Sequence, residues 1–161
     1  MGKVLSDFKR GWPGTVSRSA DTVIISLPNL SGGDIPFGAP VFLNSTSNGG
    51  EPWNTTTNQT FDKFVGFAVR SASKTPDTYG SSEAVYKNKE MMDVLVRGSL
   101  TVTNTGTPKL GGKVYIVNST GKLSASAGAA GSTLELTNCK WRGTPDGNFH
   151  AELLVTERNI Q

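Results

Sequence analysis

Residues 92–103 read Met-Asp-Val-Leu-Val-Arg-Gly-Ser-Leu-Thr-Val-Thr, and this stretch decides the fold. Met92, Val94, Val96, Leu100 and Val102 share one parity with Gly98 among them. Asp93, Arg97, Ser99, Thr101 and Thr103 share the other, and Leu95 alone departs from the rule. Successive side chains of an extended chain point to opposite faces, so this is the signature of an antiparallel strand with one buried face.

On either side of it, shorter apolar runs recur between turn formers. Val23 to Leu27 ends at Pro28, and Ala39 to Leu43 follows a Ser31-Gly32-Gly33-Asp34 turn. Val65, Phe67 and Val69 alternate with Gly66, Ala68 and Arg70, and the small residues predict close approach by another backbone. Val114 to Val117, Thr133 to Trp141 and Phe149 to Thr156 complete the set. The last two are joined across Thr144-Pro145-Asp146-Gly147-Asn148, which has hairpin-loop composition. Residues 44–62 and 71–90 read as long polar loops, and residues 124–132, Ser-Ala-Ser-Ala-Gly-Ala-Ala-Gly-Ser, as a small-residue tip. Residues 38–43 and 111–116 echo each other, each with Asn-Ser-Thr soon after, as two similar hairpins would or as chance would in a chain of this composition.

Composition agrees. Gly, Thr, Ser, Asn and Pro make up 72 of the 161 residues. Such a chain cannot be a helical bundle, because Gly costs about 1 kcal/mol and Pro about 3 inside a helix, while Ser, Thr and Asn compete for its backbone. The expectation is an all-β protein of seven to nine short strands. It is a compact antiparallel sandwich or jelly-roll-like domain over residues 23–161, preceded by an extended arm over residues 1–22.

Chemistry is sparse. One cysteine, Cys139, excludes an intramolecular disulfide, and one histidine, His150, excludes a site needing two imidazoles. His150 falls on the polar parity of its strand and reads as a surface histidine; Cys139 reads as a small buried hydrophobe. No nucleophile elbow, calcium loop or phosphate-binding glycine loop is present, so no enzyme, metal or cofactor is expected. The net charge of +3 is spread along the chain, without the interleaved aromatics of a nucleic-acid surface. No apolar run approaches the roughly 18 residues of a membrane span, and the first twenty residues lack a signal-peptide core. The expectation is a soluble protein made in a cytoplasm, with no direct nucleic-acid or membrane partner. Five Asn-x-Ser/Thr triplets, at Asn29, Asn44, Asn54, Asn58 and Asn118, then follow from composition rather than glycosylation.

The order of certain phrases carries a resemblance. Arg18-Ser19-Ala20-Asp21-Thr22-Val23-Ile24, Ile35-Pro36-Phe37-Gly38-Ala39-Pro40-Val41 and Phe64-Val65-Gly66-Phe67-Ala68-Val69-Arg70 come first. The approach from Tyr86 to Met92 then leads into Val94 to Val102. Gly112-Lys113-Val114-Tyr115 and a late Trp141 precede a closing Ala151-Glu152-Leu153-Leu154-Val155. Over residues 17–157 the chain resembles the structural cement, or capsid decoration, proteins of tailed bacteriophages. The resemblance implies a non-enzymatic virion protein on the outer capsid surface. Such a protein binds the major capsid protein lattice and fastens neighbouring subunits of the expanded head.

The residues themselves name the candidate contacts. Trp12 stands in a segment with almost nothing else apolar, beside Arg10 and Arg18, and Trp53 lies in a polar loop; Trp is enriched among interface hot spots. An arm over residues 1–22 could add a strand to a partner's sheet. Self-association as a homodimer or homotrimer is also expected. The other reading is a carbohydrate- or receptor-binding module of a fibre or adhesin, with Trp53 and its Asn/Thr loop as the binding edge.

Overall fold

The computed structural model describes residues 10–44, 46, 48–53, 59–72, 74 and 84–159. In chain order the strands are β1 (Val16–Pro28), β2 (Ile35–Pro36), β3 (Pro40–Asn44), β4 (Gly49–Glu51), β5 (Phe64–Ala68) and β6 (Val85–Tyr86). They continue with β7 (Met91–Thr103), β8 (Lys113–Val117), β9 (Leu123–Ser124), β10 (Thr133–Trp141) and β11 (His150–Val155). Among the described residues one 3-10 turn is formed, at Phe61–Lys63. The all-β expectation holds.

Nine strands form one curled antiparallel sheet in the order β4-β3-β5-β7-β11-β10-β8-β9, with β1 paired along β7; β2 and β6 form a separate ribbon. The two halves of the sequence echo are the β3–β4 and β8–β9 hairpins, which occupy its opposite ends. Trp53, just past β4, reaches the β8–β9 turn. Its indole Nε1 donates to the Asn118 carbonyl at 3.0 Å, and its ring lies against Gly121.

The curl encloses one core. Phe42, Phe64 and Phe67 from one end of the sheet meet Val114, Ile116, Leu123 and Leu136 from the other, with Leu95, Leu100, Trp141 and Leu153 between them. A second core of Ile35, Phe37, Val41, Val65, Tyr86, Met92, Val94 and Val96 lies under the β2–β6 ribbon. Each fully buried large aliphatic or aromatic side chain contributes roughly 1.5–3 kcal/mol relative to exposure. The buried Tyr86 hydroxyl donates to the Val69 carbonyl at 2.7 Å. Buried Asn29 donates to the carbonyls of Gly33 and Tyr86 and takes a structural place, despite heading one of the triplets.

Leu95 is explained by these two cores. Met92, Val94 and Val96 face the second core, whereas Leu95, Leu100 and Val102 face the first. The inward parity switches across the Arg97–Gly98 step, where Gly98 takes φ 121° and pairing with β1 is irregular. A one-residue offset in a strand sends every later side chain to the opposite face. Beyond the step, Ser99 and Thr101 point away from the first core, into a polar layer that receives the N-terminal segment.

The first strand starts at Val16, seven residues before the apolar run that marks it in the sequence. Its early half carries no alternation and is held by backbone pairing, with Val16 opposite Leu100 and Arg18 opposite Ser99. Residues 19–22 then bulge outward, with Asp21 at φ 62° and its carboxylate 2.6 Å from Arg97.

Candidate functional site

Residues 1–9 of the expected arm lie outside the described residues. From Arg10 the chain is bound down along the polar layer. The Arg10 amide donates to Asp146 Oδ2 at 2.9 Å, and its carbonyl accepts from Thr101 Oγ1 at 2.6 Å. The Gly14 amide donates to the Thr101 carbonyl, the Thr101 amide to Thr15, and the Arg70 amide to Gly14. Pro13-Gly14 crosses Phe37-Gly38 so closely that a Cβ on either glycine would stand 2.9 Å from the other's nitrogen; both take positive φ. Glycine is required here because an L side chain fits neither the dihedral nor the gap.

This path fixes Trp12 on the surface. Its side chain is 54% exposed. Its ring centroid lies 6.5 Å from that of His150, and the Arg70 guanidinium sits 5.9 Å from it, a cation–π arrangement. His150, expected at the surface, is instead 14% exposed, with Nδ1 3.9 Å from Asp146 Oδ2. It is covered because the N-terminal segment folds over the β11 strand, an arrangement that strand parity alone does not encode.

Two carboxylates hold the segment. Burial pushes the Asp146 carboxyl up, but the amide donors of Arg10, His150 and Asn148 outweigh it, and the group ends below the ordinary carboxylate value. Burial also raises Glu152. The Arg18 guanidinium at 2.7 Å and the Ser17 hydroxyl at 2.8 Å, with the field of Arg142, bring it below its usual value. Arg142 also donates to the Ser99 hydroxyl at 3.0 Å. Arg18 is therefore an ion-paired clamp with an exposed shaft.

Beside Trp12 opens a groove of about 970 Å³. Pro13, Pro36 and Pro40 form part of its wall, Arg70 and Lys122 bring charge, and Phe149 lies at the surface, 63% exposed. Phe149 takes φ 61°, a left-handed conformation uncommon for a large residue. It sits at the end of the 144–148 hairpin loop, where Asp146 Oδ1 accepts the amides of Asn148 and His150.

Of the four residues singled out by sequence, Arg10, Trp12 and Arg18 share one polar layer, and Trp53 lies elsewhere. Trp53 packs edge-on against Phe42 at 5.6 Å and is partly buried, so its ring is engaged in closing the sheet. Phe149, Arg70, Lys122 and the two carboxylates were not singled out. Phe149 shares the inward parity of Ala151 and Leu153 and gave no sign of its exposure, and the acids stand in strand or loop positions that only the crossing N-terminal segment brings into use. Cys139 is buried, and desolvation pushes its thiol far up, which leaves it protonated. Among the described residues no group of three or more His, Cys, Asp or Glu side chains could hold a metal, and no helix is long and apolar enough to cross a membrane.

Known proteins bear on this arrangement in three ways. The family of structural cement proteins (E217 gp24/Pam3 gp6) matches residues 3–156. No curated protein matches the chain. Among solved structures three chains match; one, from a structure described as the capsid of Myoviridae phage XM1, has a TM-score of 0.73 at 17% identity and covers 95% of this chain and 94% of that one. The likeness at that identity is one of fold, and the family match carries the role: the chain belongs to the phage structural cement proteins and is a capsid-associated structural protein of the virion.

Proposed function

We propose that this protein docks on the outer surface of the major capsid protein lattice through its Trp12 face, and that it stabilises the expanded head by bridging neighbouring subunits. The observation that carries the reading is Trp12 itself. A large aromatic side chain stands more than half exposed on backbone fixed at Arg10, Gly14 and Thr15. An anchor held this way loses little conformational freedom on binding, which is the main cost that preorganisation removes. Strand addition by residues 1–9 to a capsid sheet would extend the contact.

The stabilising effect is linkage. A protein that binds the assembled lattice and not its separated subunits stabilises it by RT ln(1 + [L]/Kd), about 2.7 kcal/mol per site at a hundredfold excess over Kd. Self-association as a dimer or trimer would hold several docking faces near the lattice and raise their effective concentration. The test is the thermal disruption of bare expanded heads with and without added protein. The reading predicts a disruption temperature that rises with occupancy and saturates; heads that bind the protein without gaining stability, or do not bind it, contradict the reading.

A further inference from the structure

The curled sheet has one long edge with no neighbour. β4 and β9, at the ends of the strand order, are three and two residues long and offer little to a passing chain. β1 runs for thirteen residues along β7 on one side, and among the described residues no strand pairs with it on the other. The Asn29–Gly50 bridge closes the sheet only just past its end. An edge strand presents unpaired N–H and C=O groups, and proteins that stay single blunt such edges with charge, proline, bulges or shortness.

β1 is blunted over its early half alone. Arg18 and Asp21 carry charge there, and the pairing with β7 is irregular up to Ile24. Residues 22–27 read Thr-Val-Ile-Ile-Ser-Leu, with no charge and no proline before Pro28, and from Ile24 to Pro28 they run along β7 without a shift. Ile25 and Leu27 pack against the second core. Val23 and Ile24 are 41% and 43% exposed, beside exposed Ser26.

The order of these residues names the occupant. Two copies related by a two-fold axis present the same residues to one another, so the shared surface has to complement itself. With the axis at Ile24, antiparallel pairing sets Thr22 against Ser26, Val23 against Ile25, and Ile24 against its own equivalent. Hydroxyl residues meet hydroxyl residues, β-branched residues suited to a pleated surface meet each other, and no like charges are opposed.

We infer that the later half of β1 is a self-association surface, along which two copies join antiparallel over residues 22–26 and merge their sheets. The inference rests on the self-association in the reading above and narrows it to a dimer, because an isologous pairing of this kind closes at two copies.

The experiment is sedimentation velocity of the full chain over a concentration series, with no capsid present. Wild type is expected as a dimer that dissociates on dilution, since a pairing of about five residues a side is a small interface. Ile24→Lys sets two like charges against each other at the axis and is expected to weaken the dimer at least about tenfold, whereas Ile24→Val associates as wild type does. Ile24→Cys is expected to form a disulfide-linked dimer on mild oxidation, because directly opposed Cα atoms of an antiparallel pair stand about 4.5–5.5 Å apart, within disulfide reach. Ser19→Cys, far along the strand from its own equivalent, is expected not to, and native Cys139 is buried. Wild type that is monomeric or trimeric at every concentration overturns the inference, as does Ile24→Lys dimerising like wild type or Ile24→Cys failing to cross-link. A monomer whose co-sedimentation with bare heads falls on Ile24→Lys also overturns it and gives the edge to a capsid strand. Capsid docking through Trp12 is read from wild-type co-sedimentation and stands or falls separately.

Discussion

Trp53 Nε1 donates to the Asn118 carbonyl at 3.0 Å, joining the segment after β4 to the β8–β9 turn, so one indole ties together the two ends of the curled sheet. The ring also meets Phe42 edge-on and packs, partly buried, against the first core. Trp53→Ala is expected to destabilise the fold by about 3 kcal/mol, the usual size for an aromatic truncated at a packed site. Trp53→Phe keeps a ring and loses mainly the hydrogen bond, about 1 kcal/mol. Urea denaturation checks both, and equal midpoints for the two variants would contradict the tie.

Gly14 and Gly38 mark where the N-terminal segment crosses the main body. An alanine at Gly38 meets the Gly14 nitrogen at 2.9 Å and takes φ 78°, so strain and clash add. Gly38→Ala is expected to cost about 2 kcal/mol or more. Gly111→Ala, at φ 77° with open space around it, is the control and should cost only about 1 kcal/mol. The difference between them measures the crossing.

Acid should loosen the N-terminal segment. Asp146 and Glu152 both titrate below their ordinary values in the folded chain, so over that window the unfolded chain binds more protons. Their contribution is complete above the unfolded carboxylate values, about 4, and is lost as pH falls through the folded ones. The urea midpoint therefore declines on acidification below about pH 5. Asp146→Asn and Glu152→Gln lower the midpoint at neutral pH and flatten the decline. A residual slope remains from Glu90, which the Lys74 ammonium and the Lys87 amide hold down.

Cys139 should be silent in the native protein. Its thiol is buried and pushed far up by desolvation, so a thiol-specific reagent has neither access nor thiolate. Labelling is expected only as the chain unfolds, with a rate that rises with denaturant. Rapid labelling under native conditions would place Cys139 at the surface.

Much of the fold is legible from alternation. Residues 92–103 announce β7, and Gly66 announces a close backbone, since a Cβ there would overlap the Leu95 carbonyl oxygen. Leu95 looked like an exception because the sequence does not reveal that the strand serves two cores on opposite faces. The early half of β1 carries no period because polar pairing holds it, and the covering of His150 depends on a crossing set by Gly14 and Gly38. Trp12 was visible as an isolated aromatic. The groove beside it was not, because it assembles residues as distant as Pro13, Pro36, Arg70, Lys122 and Phe149.

The most direct test is the dissociation constant of Trp12→Ala for bare expanded heads, measured by co-sedimentation beside wild type. Trp12 is 54% exposed and its contacts are with His150 and Arg70, so the variant should stay folded and lose about 1 kcal/mol of stability by urea denaturation. The account predicts that it binds heads at least about thirtyfold more weakly, the loss of one hot-spot side chain. Wild-type affinity in a folded Trp12→Ala protein would contradict the claim that this face meets the capsid.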